Sequence, residues 1–411
     1  MHWQLATLAL TLLGFAAVSA RIEGTSITAP MVFTAVGIVV GAKALGPVDL
    51  EQHGEEIKLL TEATLTVVLF SDASRIHLRT LRGEPAARLL GIGLPLTLLA
   101  GFVVAFALLD GLAWAEALLL AVILAPTDAA LGQVVVTLKR LPPGVRQSLN
   151  VEGGLNDGIC VPLFFIVLAV ARAEENDAPW RKALRLVFEQ IGYGVVAGVI
   201  AGTVAAAVVV VAGRRGLVSA AWLQVVPLAG AALAFGIAQP AGGSGFIAAF
   251  VGGAFFGGLR RRRGGETSYL IEEAGALLAA VTFVVFGAVL LVPALGDITW
   301  QIALYAVLSL TIVRMIPVGM AMVGTGAHRP TVAFLGWFGP RGLASIVFAL
   351  LLVEEGGLPN DDVILIVTFV TVGVSVFAHG VSAAPLARRY ADWIEARPRS
   401  DRALLEDGDG P

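Results

Sequence analysis

Charged residues and cysteines are scarce in this sequence. Asp, Glu, Lys and Arg make up 14% of the 411 residues, and Cys160 is the only cysteine. Soluble domains carry about 25% charged residues, so this chain has too few of them to cover a surface in water. A single cysteine excludes a disulfide framework within the chain and a cysteine-based zinc or iron–sulfur site.

The sequence also lacks the motifs of hydrolytic enzymes. Its five histidines are scattered, and neither His-Glu-x-x-His nor Gly-x-Ser-x-Gly occurs. An intramembrane enzyme is therefore an alternative that no motif supports. We expect no bound cofactor.

Hydrophobic residues, in contrast, make up 57% of the chain. They form recurring runs of about 20 residues, each long enough to cross a hydrocarbon layer about 30 Å thick as an α-helix. A transmembrane β-barrel would instead show alternating stretches of about 10 residues, and none is visible. The 48 glycines favour close packing between helices. These features predict an all-α membrane protein.

The hydrophobic runs predict about thirteen transmembrane helices. Their ranges are 4–20, 28–45, 58–74, 87–109, 114–138, 148–171, 184–212, 220–239, 243–259, 268–293, 299–323, 331–353 and 361–387. Residues 18–20 resemble a signal-peptidase site, but no Lys or Arg precedes them. We therefore expect the first helix to be retained, with cleavage as the alternative.

The distribution of Lys and Arg predicts the orientation of the chain. With the N-terminus outside, most of these residues fall in loops on the cytoplasmic side, as the positive-inside rule requires, and the C-terminus is cytoplasmic. We expect residues 1–390 to form the transmembrane domain. Residues 391–411 are polar and acidic at their end, which predicts a short disordered tail.

Among the ionisable residues of the predicted helices, five are candidates for a functional role: Asp128, Glu152, Asp157, Arg314 and Arg341. On insertion scales each costs about 2.5–3.5 kcal/mol at the bilayer centre, so they must be paired, hydrated or protonated. One interpretation is that they are ion pairs that only hold the helices together. The other is that they form an ion site.

The segment around Glu152 presents polar groups in two directions. Helical spacing places Glu152 and Asn156 on one face and turns Asp157 by about 100°. Three glycines within residues 153–158 remove side-chain bulk, so a neighbouring backbone or an ion can approach closely. Asp157 then has room for a ligand.

Prolines interrupt two of the predicted helices. Pro126 lies in the fifth and Pro340 in the twelfth, and a proline breaks or kinks a helix. These helices hold equivalent places in two six-helix segments, residues 28–212 and 220–388, which begin on opposite sides of the membrane. Paired interruptions of this kind point to a transporter binding site between inverted repeats. We expect the two broken helices to cross.

Two charged residues accompany these interruptions. Broken helices expose partial positive charge at their N-terminal ends and partial negative charge at their C-terminal ends. Asp128 is placed to compensate the former and Arg341 the latter. This assignment of roles is a hypothesis.

The stretch from Glu152 to Asp157 resembles the Glu-x-x-x-Asn-Asp motif of the monovalent cation/proton antiporter-1 family, which contains NhaP-like antiporters and sodium/proton exchangers. The order of Thr127-Asp128, the Asn-Asp pair, Arg314 and a Gly-Pro-Arg-Gly segment is also similar. The sequence departs from the family pattern at Gly153, where many members have Ser. The resemblance covers nearly the whole chain.

The resemblance implies a site for a monovalent cation. Asp157 would bind a proton and a cation alternately, and Thr127 would offer an oxygen ligand to the cation. Asp128 would line the site, and Asn156 would support it where electrogenic relatives carry a second acid.

The resemblance also implies an ion pair between Glu152 and Arg314, and a homodimer with a dimerisation unit and a moving core. The implied location is the bacterial cytoplasmic membrane.

We expect an antiporter that exchanges Na⁺, or alternatively K⁺ or Li⁺, for H⁺. A single exchanging acid predicts an electroneutral 1:1 exchange by alternating access. One rival is a sodium-coupled organic anion carrier of related fold, against which the negative charge of Asp128 argues. A membrane scaffold without transport activity is a further alternative.

Overall fold

The structure is a computed structural model. It describes residues 2–22, 25–41, 50–75, 84–128, 131, 132, 135, 137–175, 180–261, 268–355, 357–403 and 405–407. Within these residues the chain forms helices and no strands, so the predicted all-α fold is confirmed. Apolar runs become helices because a helix satisfies its backbone hydrogen bonds within the segment.

The N-terminal half contains eight helices within the described residues. They are α1 (His2–Ile22), α2 (Ala29–Val40), α3 (Leu50–Arg75), α4 (Glu84–Arg88), α5 (Leu94–Leu108), α6 (Trp114–Ile123), α7 (Pro143–Glu175) and α8 (Trp180–Ala207). A π turn over Leu89–Gly93 joins α4 to α5, and another over Val208–Ala212 extends α8.

Nine more helices follow in the described part of the C-terminal half. They are α9 (Ala220–Ala238), α10 (Gly245–Arg261), α11 (Tyr269–Val285), α12 (Val292–Ala294), α13 (Trp300–Leu310), α14 (Ile312–Ala321), α15 (Arg329–Trp337), α16 (Leu343–Glu355) and α17 (Asp361–Glu395). A π turn over Phe286–Leu291 joins α11 to α12.

Seven helical stretches of the described chain are long and apolar enough to cross a membrane. They are Pro85–Leu108, Pro143–Ala173, Ala183–Ala212, Ala220–Ala238, Tyr269–Asp297, Trp300–Ala321 and Asp361–Glu395. Each of the predicted helices overlaps at least one observed helix. The predicted number of about thirteen membrane crossings stays a prediction.

Three predicted helices are shorter or divided in the structure. In the segment 114–138 the helix ends at Ile123, because Pro126 and the residue before it disfavour a helix. Five residues of this segment, between 129 and 136, lie outside the described part. The segment 331–353 divides into α15 and α16. The segment 299–323 divides at Thr311, whose φ of −116° and ψ of −90° are not helical. The hydrophobic run predicts one continuous helix over 299–323, so this third interruption is not predicted from the sequence.

The chain forms two compact units. The first unit comprises Met1–Glu55, Leu81–Asn156 and Ala280–Pro411, and the second comprises Glu56–Thr80 and Asp157–Ala279. Each unit combines helices from both predicted six-helix repeats, so the units are not the repeats.

In the second unit, α8, α9 and α10 pack through small side chains. Their buried core contains Ala197, Ala201, Ala234, Ala238 and Ala248. At Gly253 in α10, an added Cβ would overlap the backbone of Phe70 in α3, so only glycine permits this approach. Close packing through small residues is the usual way in which membrane helices associate.

In the first unit, the end of the chain packs against helix ends. Leu405 and Glu406 are buried, and Glu406 accepts hydrogen bonds from the backbone N–H of His328 (2.9 Å) and the hydroxyl of Thr331. His328 precedes α15, so the carboxylate occupies the donor-rich N-terminus of that helix. The polar composition of the tail predicts disorder, but over residues 397–403 and 405–407 these donors give it a defined position.

Candidate ion-binding site

The first half of the site is the interruption after α6. The helix ends at Ile123, and residues 125–128 have no regular secondary structure. Thr127 in this stretch is 5% exposed. Such irregular backbone is tolerated at membrane depth only where protein or a polar cavity surrounds it.

The second half is the interruption between α15 and α16, over residues 338–342. The two interruptions are in direct contact, because the backbone N–H of Asp128 donates a hydrogen bond to the carbonyl of Pro340 (2.8 Å). The structure therefore brings together the two proline-containing segments that the sequence identified.

Asp128 lies at the N-terminal end of α16. Its Oδ2 accepts a hydrogen bond from the backbone N–H of Leu343, the first residue of that helix, at 2.9 Å. A carboxylate at this position offsets the partial positive charge of the helix end. At Gly342 an added Cβ would overlap the Asp128 carboxylate, which explains why this position requires glycine.

Arg341 lies next to the C-terminal end of α6, where the first interruption begins. It is fully buried, and its Nη1 donates to the carbonyl of Ala125 (2.9 Å) and, at longer range, to that of Pro126 (3.4 Å). These carbonyls are released when α6 ends, and a cation is the favoured group at such an end. The guanidinium therefore binds one broken helix while its own backbone belongs to the other interruption.

A short chain of hydrogen bonds holds the second interruption from α17. The backbone N–H of Arg341 donates to Ser375 Oγ (2.7 Å), which lies 3.2 Å from His379 Nδ1. His379 Nε2 lies 3.0 Å from the carbonyl of Trp337, the last residue of α15. With Nε2 protonated, the ring donates to the Trp337 carbonyl, and Nδ1 can accept from the Ser375 hydroxyl; Nδ1 also lies 3.0 Å from the Ser375 carbonyl. Both sides of the interruption are thus fixed to one helix.

Glu152 and Arg314 form the predicted contact within the first unit. Arg314 Nη2 donates to Glu152 Oε2 at 2.7 Å, and Nη1 donates to Oε1 in a second, parallel bond. Both side chains are 2% exposed. Gly339 passes so close to the Arg314 guanidinium that a Cβ there would overlap it. The bidentate pair is charge-balanced, and it joins α7 to α14.

Asn156 and Thr127 bring α7 to the first interruption. Asn156 Nδ2 donates to Thr127 Oγ1 at 2.6 Å, and both residues are buried. Asn156 Oδ1 accepts no hydrogen bond from the described part of the chain. A buried oxygen without a donor is costly unless a ligand or water occupies it.

A small cavity lies beside these groups. Its volume is about 20 Å³, and its lining includes Thr127, Asp128, Gly153, Phe338 and Pro340. One water needs about 10–15 Å³, so the cavity admits one water or one small ion. Gly153 leaves this space open because it has no side chain.

Asp157 follows Asn156 on α7 and is the first residue of the second unit. It is 8% exposed. At the next residue, Gly158, an added Cβ would overlap the ring of Phe250, so this aromatic side chain lies directly against the helix.

The buried acid Glu116 is not among the site residues predicted from the sequence. This residue is 2% exposed in the first turn of α6, where it accepts a hydrogen bond from the backbone N–H of Ala113 (2.9 Å). Asn360 donates to it from its backbone (3.1 Å) and its side chain (2.7 Å). Glu116 lies three residues after Ala113, the residue that precedes α6, and a Glu at this position is a capping signal that the sequence contains. The sequence does not indicate that Asn360 is its partner.

A family model, several curated proteins and solved structures are similar to this chain. The family described as "Sodium/hydrogen exchanger, transmembrane" matches residues 7–389. The K(+)/H(+) antiporter NhaP of Alkalimonas amylolytica is 27% identical over 93% of this chain and 66% of its own length. The Na(+)/H(+) antiporter NhaP of Pseudomonas aeruginosa is 28% identical over 86% of this chain and 87% of its own.

The chain spans 62–66% of the length of several of these curated relatives, among them the K(+)/H(+) antiporters NhaP2 of Shewanella. Among solved structures, the sodium proton antiporter MjNhaP1 from Methanocaldococcus jannaschii at pH 8 superposes with a TM-score of 0.74. It is 19% identical and covers 92% of this chain and 98% of that one, which shows the fold.

The family resemblance predicted from the Asn-Asp motif is therefore confirmed. The described helices and the family match together make the protein an integral membrane protein. The chain belongs to the transmembrane sodium/hydrogen exchanger family.

Proposed function

We propose that this protein is a secondary active antiporter that exchanges a monovalent cation for H⁺ across the membrane. One observation carries the proposal. At the contact of two interrupted helices, the buried side chains of Thr127 and Asn156 are hydrogen-bonded, and Thr127 also lines a cavity with the volume of one water or ion. The names of the relatives, K(+)/H(+) and Na(+)/H(+) antiporters, support the same activity.

In this proposal Asp157 is the carboxylate that holds the transported ion. A carboxylate neutralises one positive charge at a time, so a proton and a cation compete for it. Small monovalent cations are hard ions that prefer oxygen ligands. In the first unit, Thr127 Oγ1 and the unsatisfied Asn156 Oδ1 are oxygens of this kind.

The remaining buried charges keep the site in shape. Asp128 and Arg341 offset the charges of the helix ends, and the Glu152–Arg314 pair joins two helices without contributing net charge. Asp128 also argues against an organic anion as cargo. Its carboxylate already occupies the N-terminus of α16, where such an anion would bind.

A single exchanging acid sets the stoichiometry. Asn156 is neutral at the position next to Asp157, so one proton leaves for each cation that enters. We propose electroneutral 1:1 exchange by alternating access, in which one helical unit shifts against another. Na⁺ is the proposed cargo, and K⁺ and Li⁺ are the alternatives.

The cellular setting follows from the charge distribution and the family. We propose a homodimer in the bacterial cytoplasmic membrane, with the N-terminus outside and the C-terminus in the cytoplasm, which contributes to pH and sodium homeostasis. The arginine-rich loops and tail support this orientation.

Reconstituted vesicles test the proposal. An acid-inside pH gradient is followed with a fluorescent dye while NaCl, KCl, LiCl or choline chloride is added outside. We expect at least one alkali cation, and not choline, to collapse the gradient over a range of pH values. A membrane potential imposed without a cation gradient should drive no proton flux. Equal responses to choline and to all alkali cations would contradict antiport.

A further inference from the structure

A cleft opens on the first unit between α15 and α17, away from the ion-binding residues of α7. Its volume is about 470 Å³, and most of its lining is aromatic or aliphatic. The lining includes Phe334, Trp337, Phe338, Leu386, Tyr390 and Trp393. A second groove of about 620 Å³ adjoins it and shares Met315 and Ala333 with it. Together they form one continuous apolar surface, which we name the α15–α17 cleft.

The walls of the α15–α17 cleft are held in place by ring contacts. The rings of Phe334 and Tyr390 stack with centroids 4.4 Å apart, and Tyr390 stacks on Trp393 at 5.7 Å. The Tyr390 hydroxyl lies 2.9 Å from the hydroxyl of Thr331 in α15. Because the aromatic side chains are already ordered, a ligand would not have to immobilise them.

Two arginines lie on the lining of the cleft. Arg389 lines the aromatic part and Arg329 the larger adjoining groove, and both are exposed. Neither has a hydrogen bond or ion pair to another residue of the described chain. Arg140, in contrast, forms an ion pair with Asp392 of α17 at 2.7 Å. No acidic residue is among the described residues that line either part.

We propose that the α15–α17 cleft binds an anionic phospholipid. An acyl chain occupies the aromatic cleft, and the headgroup phosphate contacts Arg389 and Arg329. The protein lies in a bilayer, so hydrocarbon chains are the apolar ligands available to such a surface. Basic pockets between membrane helices on the cytoplasmic side suit anionic headgroups, and the predicted orientation places both arginines on that side.

The site adjoins the interruption between α15 and α16. Phe338 is among the lining residues of both the cleft and the water-sized cavity beside Thr127. A ligand in the cleft would therefore lie next to a residue that also lines that cavity.

Native mass spectrometry of the purified protein tests binding without reference to transport. The probes are phosphatidylglycerol and phosphatidylcholine of identical acyl chains. One variant carries Arg329→Gln and Arg389→Gln. The control carries Arg214→Gln and Arg215→Gln, which removes two exposed arginines that are predicted to lie on the same side of the membrane.

We expect wild type and the control to retain phosphatidylglycerol about tenfold more strongly than phosphatidylcholine. The Arg329→Gln/Arg389→Gln variant should lose this preference. Equal retention of both lipids by wild type would overturn the proposal, and so would an undiminished preference in the Arg329→Gln/Arg389→Gln variant.

A second variant tests the apolar part. Ala333 is an exposed residue of α15 that lines both parts of the cleft, so Ala333→Phe fills the space without removing charge. We expect it to weaken retention of both lipids. With brominated phosphatidylglycerol, quenching of tryptophan fluorescence should also fall, because Trp337 and Trp393 line the cleft. Unchanged quenching in Ala333→Phe would place the lipid elsewhere and overturn the assignment.

Discussion

Glu152 on α7 and Arg314 on α14 form a bidentate ion pair across 162 residues of sequence, and each side chain is 2% exposed. Both charged groups are removed from water in this contact, and each neutralises the charge of the other. Loss of one partner would leave a buried charge without compensation. Replacement of both side chains would leave an unfilled volume but no buried charge.

The first prediction concerns this pair. Glu152→Gln or Arg314→Met should each destabilise the protein by about 3–5 kcal/mol, because the remaining charge stays buried. The double variant should be more stable than the sum of the single effects predicts. Melting temperatures in detergent measure both effects. The exposed pair Arg185–Glu189 is the control, and Arg185→Gln should change the melting temperature little. Additive losses in the double variant would contradict the account.

The second prediction concerns the contact between Gly342 and Asp128. Gly342→Ala places a methyl group against the Asp128 carboxylate and should displace it from the N–H of Leu343. We expect a loss of about 1–3 kcal/mol of stability together with reduced cation-driven flux. Gly236→Ala in α9 meets no atom within 4 Å and serves as the control. Wild-type flux in Gly342→Ala would show that this cap is dispensable.

The third prediction concerns Arg341. Arg341→Ala leaves the carbonyls of Ala125 and Pro126 without their donor, whereas Arg341→Lys keeps the charge and one donor position. Loss of a hydrogen bond from a charged group costs about 1.5–3 kcal/mol. Flux and melting temperature should therefore fall more in Arg341→Ala than in Arg341→Lys. Full and equal activity in both variants would count against its role at the helix end.

Some parts of this fold are predictable from single residues. Pro126 and Pro340 favour the two interruptions because a proline removes a backbone donor from a helix. The signal is incomplete, since helices α7, α9, α14 and α17 continue through Pro162, Pro227, Pro317 and Pro385. The interruption at Thr311 has no such marker, since neither Gly nor Pro occupies that position. Its backbone angles depend on the packing of α13 and α14, and a hydropathy pattern carries no information about that packing.

Contacts between distant residues are the other part that the sequence does not show. The pairing of Glu152 with Arg314 was implied by family resemblance, and spacing alone would not select it. In the sequence, Glu406 belongs to a polar tail, but its hydrogen-bond donors His328 and Thr331 lie 78 and 75 residues away. Local composition predicts disorder there because it does not include those distant donors.

The fourth prediction concerns the pH dependence of the C-terminal segment. Burial alone would raise the pKa of the Glu406 carboxyl. Hydrogen bonds from Thr331 and His328 have the larger, opposite effect and hold the pKa of this carboxyl below its usual value of 4.5. The ionised carboxylate therefore stabilises the docked segment fully above pH 4.5. This contribution is lost as the pH falls from 4.5 through the lowered value.

Fluorescence anisotropy of a label at Ser400→Cys measures this release, since Cys160 is buried. Anisotropy should drop below pH 4.5 in the labelled protein and should already be low at pH 7 after Glu406→Gln. Glu273→Gln, an exposed acid on α11, is the control and should match the parent. A high and constant anisotropy in Glu406→Gln would mean that other contacts hold the segment.

In the proposed exchange, one carboxylate, Asp157, holds a proton and a cation in turn. Cation-driven proton flux in vesicles that contain Asp157→Asn measures this role, with Asp110→Asn as an exposed control of the same chemistry. We expect Asp157→Asn to abolish the flux while its melting temperature and elution profile stay those of a folded protein, and Asp110→Asn to transport normally. Wild-type flux in folded Asp157→Asn would contradict the account.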